Sequence, residues 1–172
     1  MRERLRALMG LTAGCLLATS PVVRAADISV AAGSAHLAEA VAKAAPGDRL
    51  VLARGTHSGR IVIKKPLTIE GKGGAIIDAG GTGTAVIILN SNVTVRGLTI
   101  RGSGTRGEAF DSGVYIEQGA DHVTVEDNRL EGNLFGIVLH GSKFATLRRN
   151  HIANRTDLWP NDRGNGIHIW NN

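Results

Sequence analysis

The chain has 172 residues, a length for one domain, and 23 of them are Gly, while only 3% are aromatic and 4 are Pro. A hydrophobic content of 42% excludes a disordered chain, and the glycines keep no three-residue period, which excludes collagen. Glycine costs a helix interior about 1 kcal/mol per position, so a helical bundle is excluded as well; a turn-rich β protein remains.

The first 25 residues read as an export signal. Arg2, Arg4 and Arg6 form a basic start, Ala7 to Thr19 is uncharged and apolar or small, and Val23-Arg24-Ala25 offers a small-residue cleavage site. The apolar run is too short for a membrane span of roughly 20 residues. A lipoprotein signal at Cys15 is the competing reading, but Thr12 stands where such signals carry Leu. Cleavage after Ala25 would remove four Arg and one Glu, leaving 16 basic and 14 acidic residues, a net +2. The basicity therefore belongs mostly to the signal, and a nucleic-acid partner is not expected. Cys15, Met1 and Met9 would leave with it, so the mature chain has no sulfur.

Residues 26–59 are expected to form an N-terminal cap. Leu37 and Val41 lie four apart in an Ala-rich stretch, which predicts a helix over 36–45 that Pro46-Gly47-Asp48 ends. Arg49 to Ala53 follows as a strand. A short helix suits the open end of a solenoid, whose strand edges need cover.

Residues 60–172 are a degenerate repeat. Leu67-Thr-Ile-Glu, Val93-Thr-Val-Arg, Val123-Thr-Val-Glu and Ala145-Thr-Leu-Arg align, with the Thr at 68, 94, 124 and 146, spaced by 26, 30 and 22 residues. Gly113-Val-Tyr-Ile, Gly136-Ile-Val-Leu and Gly166-Ile-His-Ile align too. So do Ala75-Ile-Ile-Asp, Gly97-Leu-Thr-Ile, Asn128-Arg-Leu-Glu and Asn150-His-Ile-Ala. Three short strands per period predict an all-β, single-stranded parallel β-helix of about five coils, pectin-lyase-like, each coil about 4.8 Å above the last. An ordinary β-sandwich would show no such register. The alternation predicts Ile61, Ile63, Ile87, Leu89, Val114, Ile116, Ile137, Leu139, Ile167 and Ile169 inside. Asn128 and Asn150 would stack as a ladder. The chain stops at Asn171-Asn172 in mid-coil, so the C-terminal end reads as uncapped and truncated.

The same register places Lys64, Asn90, Glu117, His140 and Trp170 in one outward column and Val62, Ile88, Tyr115, Val138 and His168 in the next. Two insertions, 102–112 and 154–165, border that face and bring Arg106, Asp111, Asp157, Trp159, Asp162 and Arg163. Loops on a rigid scaffold are common binding sites. Three chemistries are open. Tyr115, Trp159 and Trp170 could stack on sugar faces while Glu117, Asp157 and Asp162 supply carboxylates for carbohydrate binding or cleavage. No compact Asp-Asp motif is present, so no catalytic residue is assigned. His140 and His168 could ligate a metal, since imidazole suits copper or zinc. Third, the coils could act purely as an interaction scaffold.

Asp127-Asn-Arg-Leu-Glu-Gly-Asn-Leu-Phe-Gly-Ile-Val-Leu-His-Gly141 resembles the repeat of periplasmic right-handed β-helix domains known as carbohydrate-binding and sugar-hydrolysis repeats. Pro46-Gly-Asp-Arg-Leu-Val-Leu, Leu67-Thr-Ile-Glu-Gly, Gly71-Lys-Gly-Gly-Ala-Ile-Ile-Asp78 and above all Trp159-Pro-Asn-Asp-Arg-Gly-Asn-Gly-Ile-His-Ile-Trp170 are similar to the nitrous-oxide-reductase maturation proteins of that group. The resemblance covers about residues 27 to 172 and supplies the right hand of the coil. It implies a periplasmic, non-enzymatic accessory factor for the copper-sulfur centre of nitrous oxide reductase. The implied partners are an ABC transporter (its membrane subunit and its ATPase), a copper chaperone and the reductase. Copper is the implied metal.

Overall fold

The computed structural model describes residues 25–171. The export signal expected over 1–25 lies, Ala25 apart, outside the described residues.

The repeats do build a parallel β-solenoid. Its first wall stacks Asp27–Val30, Arg49–Leu52, Thr68–Gly71, Thr94–Arg96, Thr124–Glu126 and Thr146–Arg148, in that order. The second wall runs Gly33–Ser34, Gly55–Ser58, Ala75–Asp78, Thr99–Arg101, Arg129–Glu131 and His151–Ala153. The third runs Ile61–Ile63, Val86–Ile88, Ser112–Ile116, Phe135–His140 and Ile167–Trp170. All pairings are parallel. Thr68, Thr94, Thr124 and Thr146 are direct register partners, as their spacing predicts. Two walls are six strands deep because the segment before residue 60 already supplies strands that pair within them.

Inward positions hold aliphatic side chains that are fully buried, among them Leu50, Ile69, Val95 and Val125 on the first wall and Ile77, Ile100 and Leu130 on the second. Each coil thus buries its own inner face against the coils above and below, worth about 25 cal/mol per Å² of apolar surface removed from water. The last coil is the exception. Ile167 and Ile169 sit in register with Ile137 and Leu139 but are 44% and 61% exposed, since none of the described residues stacks beyond them.

Two expected alignments slip by one residue. On the third wall Val86 and Ile88 point inward and pair with Ile61 and Ile63, so Ile87 is outward and Leu89 is 40% exposed. Ala85 to Leu89 is an unbroken apolar run, in which inward and outward positions look alike. On the second wall Thr99, not Leu98, pairs with Ile76 and Arg129, so the strand series starts at Leu98 rather than Gly97. Gly97 is instead the corner. It holds φ +68, and a Cβ there would stand 3.1 Å from the Gly71 carbonyl oxygen. Asp127 and Arg149 occupy the same corner one and two coils on, both with positive φ, and their side chains pair with each other at 2.6 Å.

The Asn ladder forms. Asn128 donates from Nδ2 to the Val95 carbonyl at 2.9 Å and to Asn150 Oδ1 at 3.2 Å, and its own Oδ1 accepts from the Leu98 amide at 3.1 Å. Asn150 repeats the pattern one coil later, donating to the Val125 carbonyl at 2.8 Å. A second buried amide, Asn133, does the same at another corner, between the Ile100 carbonyl and the Ser103 amide.

A charge ladder crosses the outer face of the first wall. Glu70 meets Arg49 at 3.2 Å and Arg96 at 2.6 Å; Glu126 meets Arg148 at 2.6 Å and Arg149 at 3.1 Å, with Arg96 at 4.0 Å below it. Single exposed pairs contribute little, but here each carboxylate is shared by guanidinium groups from different coils.

The helix runs from His36 to Lys43 and buries Leu37 and Val41. Lys65 caps it by donating to the Ala42 and Ala44 carbonyls at 2.9 and 2.7 Å. Buried Asp48 accepts from the amides of Ala26 and Ala45, which fixes the turn that follows the helix to the first strand.

Asn128→Ala is expected to lower the unfolding free energy by about 1–3 kcal/mol, because it strands the Leu98 amide in the interior. Urea titration followed by circular dichroism checks this, with Asn150→Ala, at a half-buried site, costing less. The pairing of Glu70 with Arg96, and then with Arg49, holds its carboxyl below the usual range. A depressed folded value means stability is present above the ordinary Glu range, about pH 4.3, and is lost as pH falls through the folded value. Thermal melts between pH 6 and pH 3 should therefore fall, and Glu70→Gln should flatten the acid limb.

Candidate functional site

The site grows from the third wall. Its outward column reads Val62, Ile87, Tyr115, Val138, His168 from coil to coil. Trp170 pairs with His140, and Glu117, next after the Ile116–Leu139 pair, faces His140 from below. The structure thus brings Tyr115, Glu117, His140, His168 and Trp170 onto one face.

Two residues that the sequence reading passed over complete it. Phe110 lies near the end of the first insertion, and Phe135 opens the Phe135–His140 strand. Phe110 packs at 5.9 Å from Phe135, 5.3 Å from His168 and 5.1 Å from Trp170, ring centre to ring centre. Phe135 meets His168 at 5.3 Å, and Trp170 lies 6.0 Å from His140 and 6.4 Å from His168. The chain has three Phe, two Trp and one Tyr, and four of these six stand in this patch. That concentration in an aromatic-poor chain was the available signal. Under the patch Val138 points outward yet is only 1% exposed.

His140 is held from two sides. Its Nδ1 lies 2.9 Å from the Tyr115 hydroxyl and 3.1 Å from Glu117 Oε1. A bare Nδ1 accepts from Tyr115; a protonated Nδ1 donates to Glu117. Partial burial, and after it the Glu117 charge, pushes the Tyr115 phenol up, so it remains a donor at neutral pH. Nδ1 of His168 lies 3.4 Å from the Asn165 amide. Both imidazoles are left with Nε2 for other partners. Among the described residues no group of three or more His, Cys, Asp and Glu stands close enough to hold a metal ion.

The charged loop residues are engaged mostly with one another. Asp157 pairs with Arg155 through two hydrogen bonds, at 2.8 and 2.6 Å, which draws its carboxyl down to about 2. Arg155 also donates to the Ser103 and Gly104 carbonyls, each at 3.4 Å, and so ties the second insertion to the first. Asp111 is buried and accepts from the Arg106 backbone and guanidinium. Arg163 is spent on the Leu158 and Thr156 carbonyls. Trp159 is 81% exposed, and Asp162 closes an exposed 3-10 turn over Pro160–Asp162. Between the insertions runs a groove of about 460 Å³, walled by Phe135 and His168 on one side and by Asp162, Arg163 and Asn165 on the other. Chemically the face offers an aromatic platform, a hydrogen-bonding imidazole and a polar rim, an arrangement for recognition.

A family model described as "Right handed beta helix region" matches residues 57–172. A Pseudomonas aeruginosa protein named "Probable ABC transporter binding protein NosD" is 31% identical over 166 residues, 96% of this chain. A shorter P. aeruginosa protein of the same name is 34% identical over 101 residues, which are 59% of this chain and 93% of that protein. The chain belongs to the NosD family of right-handed β-helix proteins. It spans 37% of the length of the first NosD relative. Among solved structures, an alginate lyase from Paenibacillus sp. strain FPU-7 superposes with a TM-score of 0.59 at 24% identity, over 72% of this chain and 44% of that one. That likeness establishes the shared coil. The aromatic patch therefore lies on the third wall of a NosD-type coil, beside its two longest turns.

Removing Arg155 should raise the Asp157 carboxyl from about 2 toward the ordinary Asp value of about 3.9, since the guanidinium is the main cause of its depression. Carboxyl-carbon NMR titration of Arg155→Ala against the parent reads this directly. The same variant should be cut faster by protease within 154–165.

Proposed function

We propose that this chain is part of a periplasmic accessory factor that serves as a scaffold beside an ABC transporter during maturation of the copper-sulfur centre of nitrous oxide reductase. The observation that carries the reading is the 31% identity along 96% of the chain to a relative named as an ABC transporter binding protein. Its fold is suited to the task. Stacked coils hold an aromatic patch rigidly, and rigid aromatic anchors are the usual centres of protein interfaces.

Copper enters as cargo. The chain after residue 25 carries no Cys or Met, so a copper ion would meet imidazole here, not sulfur. His140 and His168 are the proposed contacts, each through Nε2, with the Glu117 carboxylate behind His140 in the way that carboxylates back metal-bound imidazoles. A two-imidazole contact suits transfer better than storage. A copper chaperone would deliver the ion and the reductase would receive it. Tyr115, Glu117, Trp170 and the loop residues Asp157, Trp159 and Asp162 form the surface that partners would meet.

A cell lacking the protein should make nitrous oxide reductase without its full copper content, measured by metal analysis and visible absorption of the purified reductase. His140→Ala with His168→Ala should weaken copper binding by the isolated protein at least about tenfold, about 1.4 kcal/mol. Unchanged affinity removes these residues from the copper path. Sustained cleavage of a uronate polymer by the pure protein, abolished by Asp157→Ala or Asp162→Ala, would overturn the reading in favour of a carbohydrate-active one.

A further inference from the structure

The lower third wall differs from the upper. Val138 is buried, while Val62, lower in the same outward column, and Leu89, in the neighbouring outward column, are each 40% exposed. Beside Val62 runs a groove of about 490 Å³ between the helix and the strand Ile61–Ile63. Its apolar walls are Ala38, Val41 and Val62, and Arg60 and Lys64 stand at the two ends of the strand. Both cations are exposed. Elsewhere on the coils Arg49, Arg96, Arg101, Arg129 and Arg148 each meet a carboxylate within 3.2 Å. Among the described residues Arg60 and Lys64 form no such pair, and the helix wall brings them none: its acid, Glu39, pairs with Lys43. Lys65, at the same edge, adds positive charge while it caps the helix.

A trough with an aliphatic floor and a free cation at each end is complementary to an amphipathic segment with acidic residues at both ends. We propose that the groove between the helix and Ile61–Ile63 docks an acidic, amphipathic segment of the ABC transporter, its carboxylates meeting Arg60 and Lys64 and its aliphatic side chains meeting Ala38 and Val62. The inference rests on the transporter reading given above and gives the transporter a surface of its own, leaving the third-wall patch to the other partners. A concave trough walled by a helix admits side chains, whereas a bilayer surface asks for a protruding face. The site is separate from the aromatic patch, so one scaffold would hold the transporter on its early coils and present the patch on its later ones.

The test is binding of the full-length protein to its detergent-solubilised transporter, membrane subunit and ATPase together, across a salt series. Arg60→Glu with Lys64→Glu should weaken binding by about tenfold or more and remove most of its salt dependence. Val62→Ser should weaken it with the salt dependence kept, and Lys143→Glu, on a distant corner, should leave it unchanged. Should the double reversal not fold, Arg60→Gln with Lys64→Gln is expected to show the same loss in smaller measure. Wild-type binding that survives all these groove changes overturns the groove and leaves the transporter reading standing. Wild type that does not bind the transporter at all overturns both. Binding of the wild type to phosphatidylglycerol vesicles without transporter, lost in the double reversal, overturns the protein partner in favour of a lipid surface.

Discussion

Vertical register governs this molecule. Each residue lies about 4.8 Å above its counterpart in the coil below, so every choice of side chain is a choice for a whole column. Inward columns must be aliphatic because they have only each other to pack against, as Ile77, Ile100 and Leu130 do. Corner columns must satisfy buried backbone groups, which the Asn128–Asn150 ladder does with its amides. Outward columns are free to vary, and the variation is organised: alternating charge on the first wall, aromatic rings on the third. The helix and Asp48 secure the starting end of this stack.

The candidate site lies where the register is interrupted. Residues 102–112 and 154–165 are extra lengths of turn that fold beside the third wall, tied together by Arg155. They carry Phe110 onto the face where Tyr115, His140, His168 and Trp170 already stand. The charged residues of the same loops are mostly consumed within them: Asp157 by Arg155, Asp111 by Arg106, Arg163 by carbonyls. What remains outward is aromatic and imidazole, with Asp162 and Trp159 exposed at the rim. A surface of that kind recognises a partner by shape and stacking more than by charge. The groove beside Arg60 and Lys64 offers the opposite balance, so two faces of one wall suit two different partners.

Much of this was legible in the sequence. The Thr spacing gave the coil length, and it held because Thr68, Thr94, Thr124 and Thr146 share a column. The column of Tyr115, Val138 and His168 was readable for the same reason. The slip at Ala85 to Leu89 came from five consecutive apolar residues, where alternation carries no information. The charge ladder was written in the repeats themselves, as Glu70, Arg96, Glu126 and Arg148 in one position of four successive segments, where register partners stand side by side. Phe110 was hidden by its loop, since no periodicity places a residue in an insertion. The tethering of Asp157 was hidden too, because an Arg two residues away is as often free as paired.

The account stands on one register running through all the coils, and disulfide trapping tests it most directly. In a chain carrying Cys15→Ser, Val62→Cys with Ile87→Cys places two thiols on register partners, within the roughly 4.4–6.8 Å Cα separation that a disulfide spans. The account predicts rapid, near-complete bridging of this pair under mild oxidation, and little bridging of Val62→Cys with Ile88→Cys, whose second thiol points into the core. Bridging of the second pair in preference to the first would contradict the register, and with it the placement of every outward residue on the third wall.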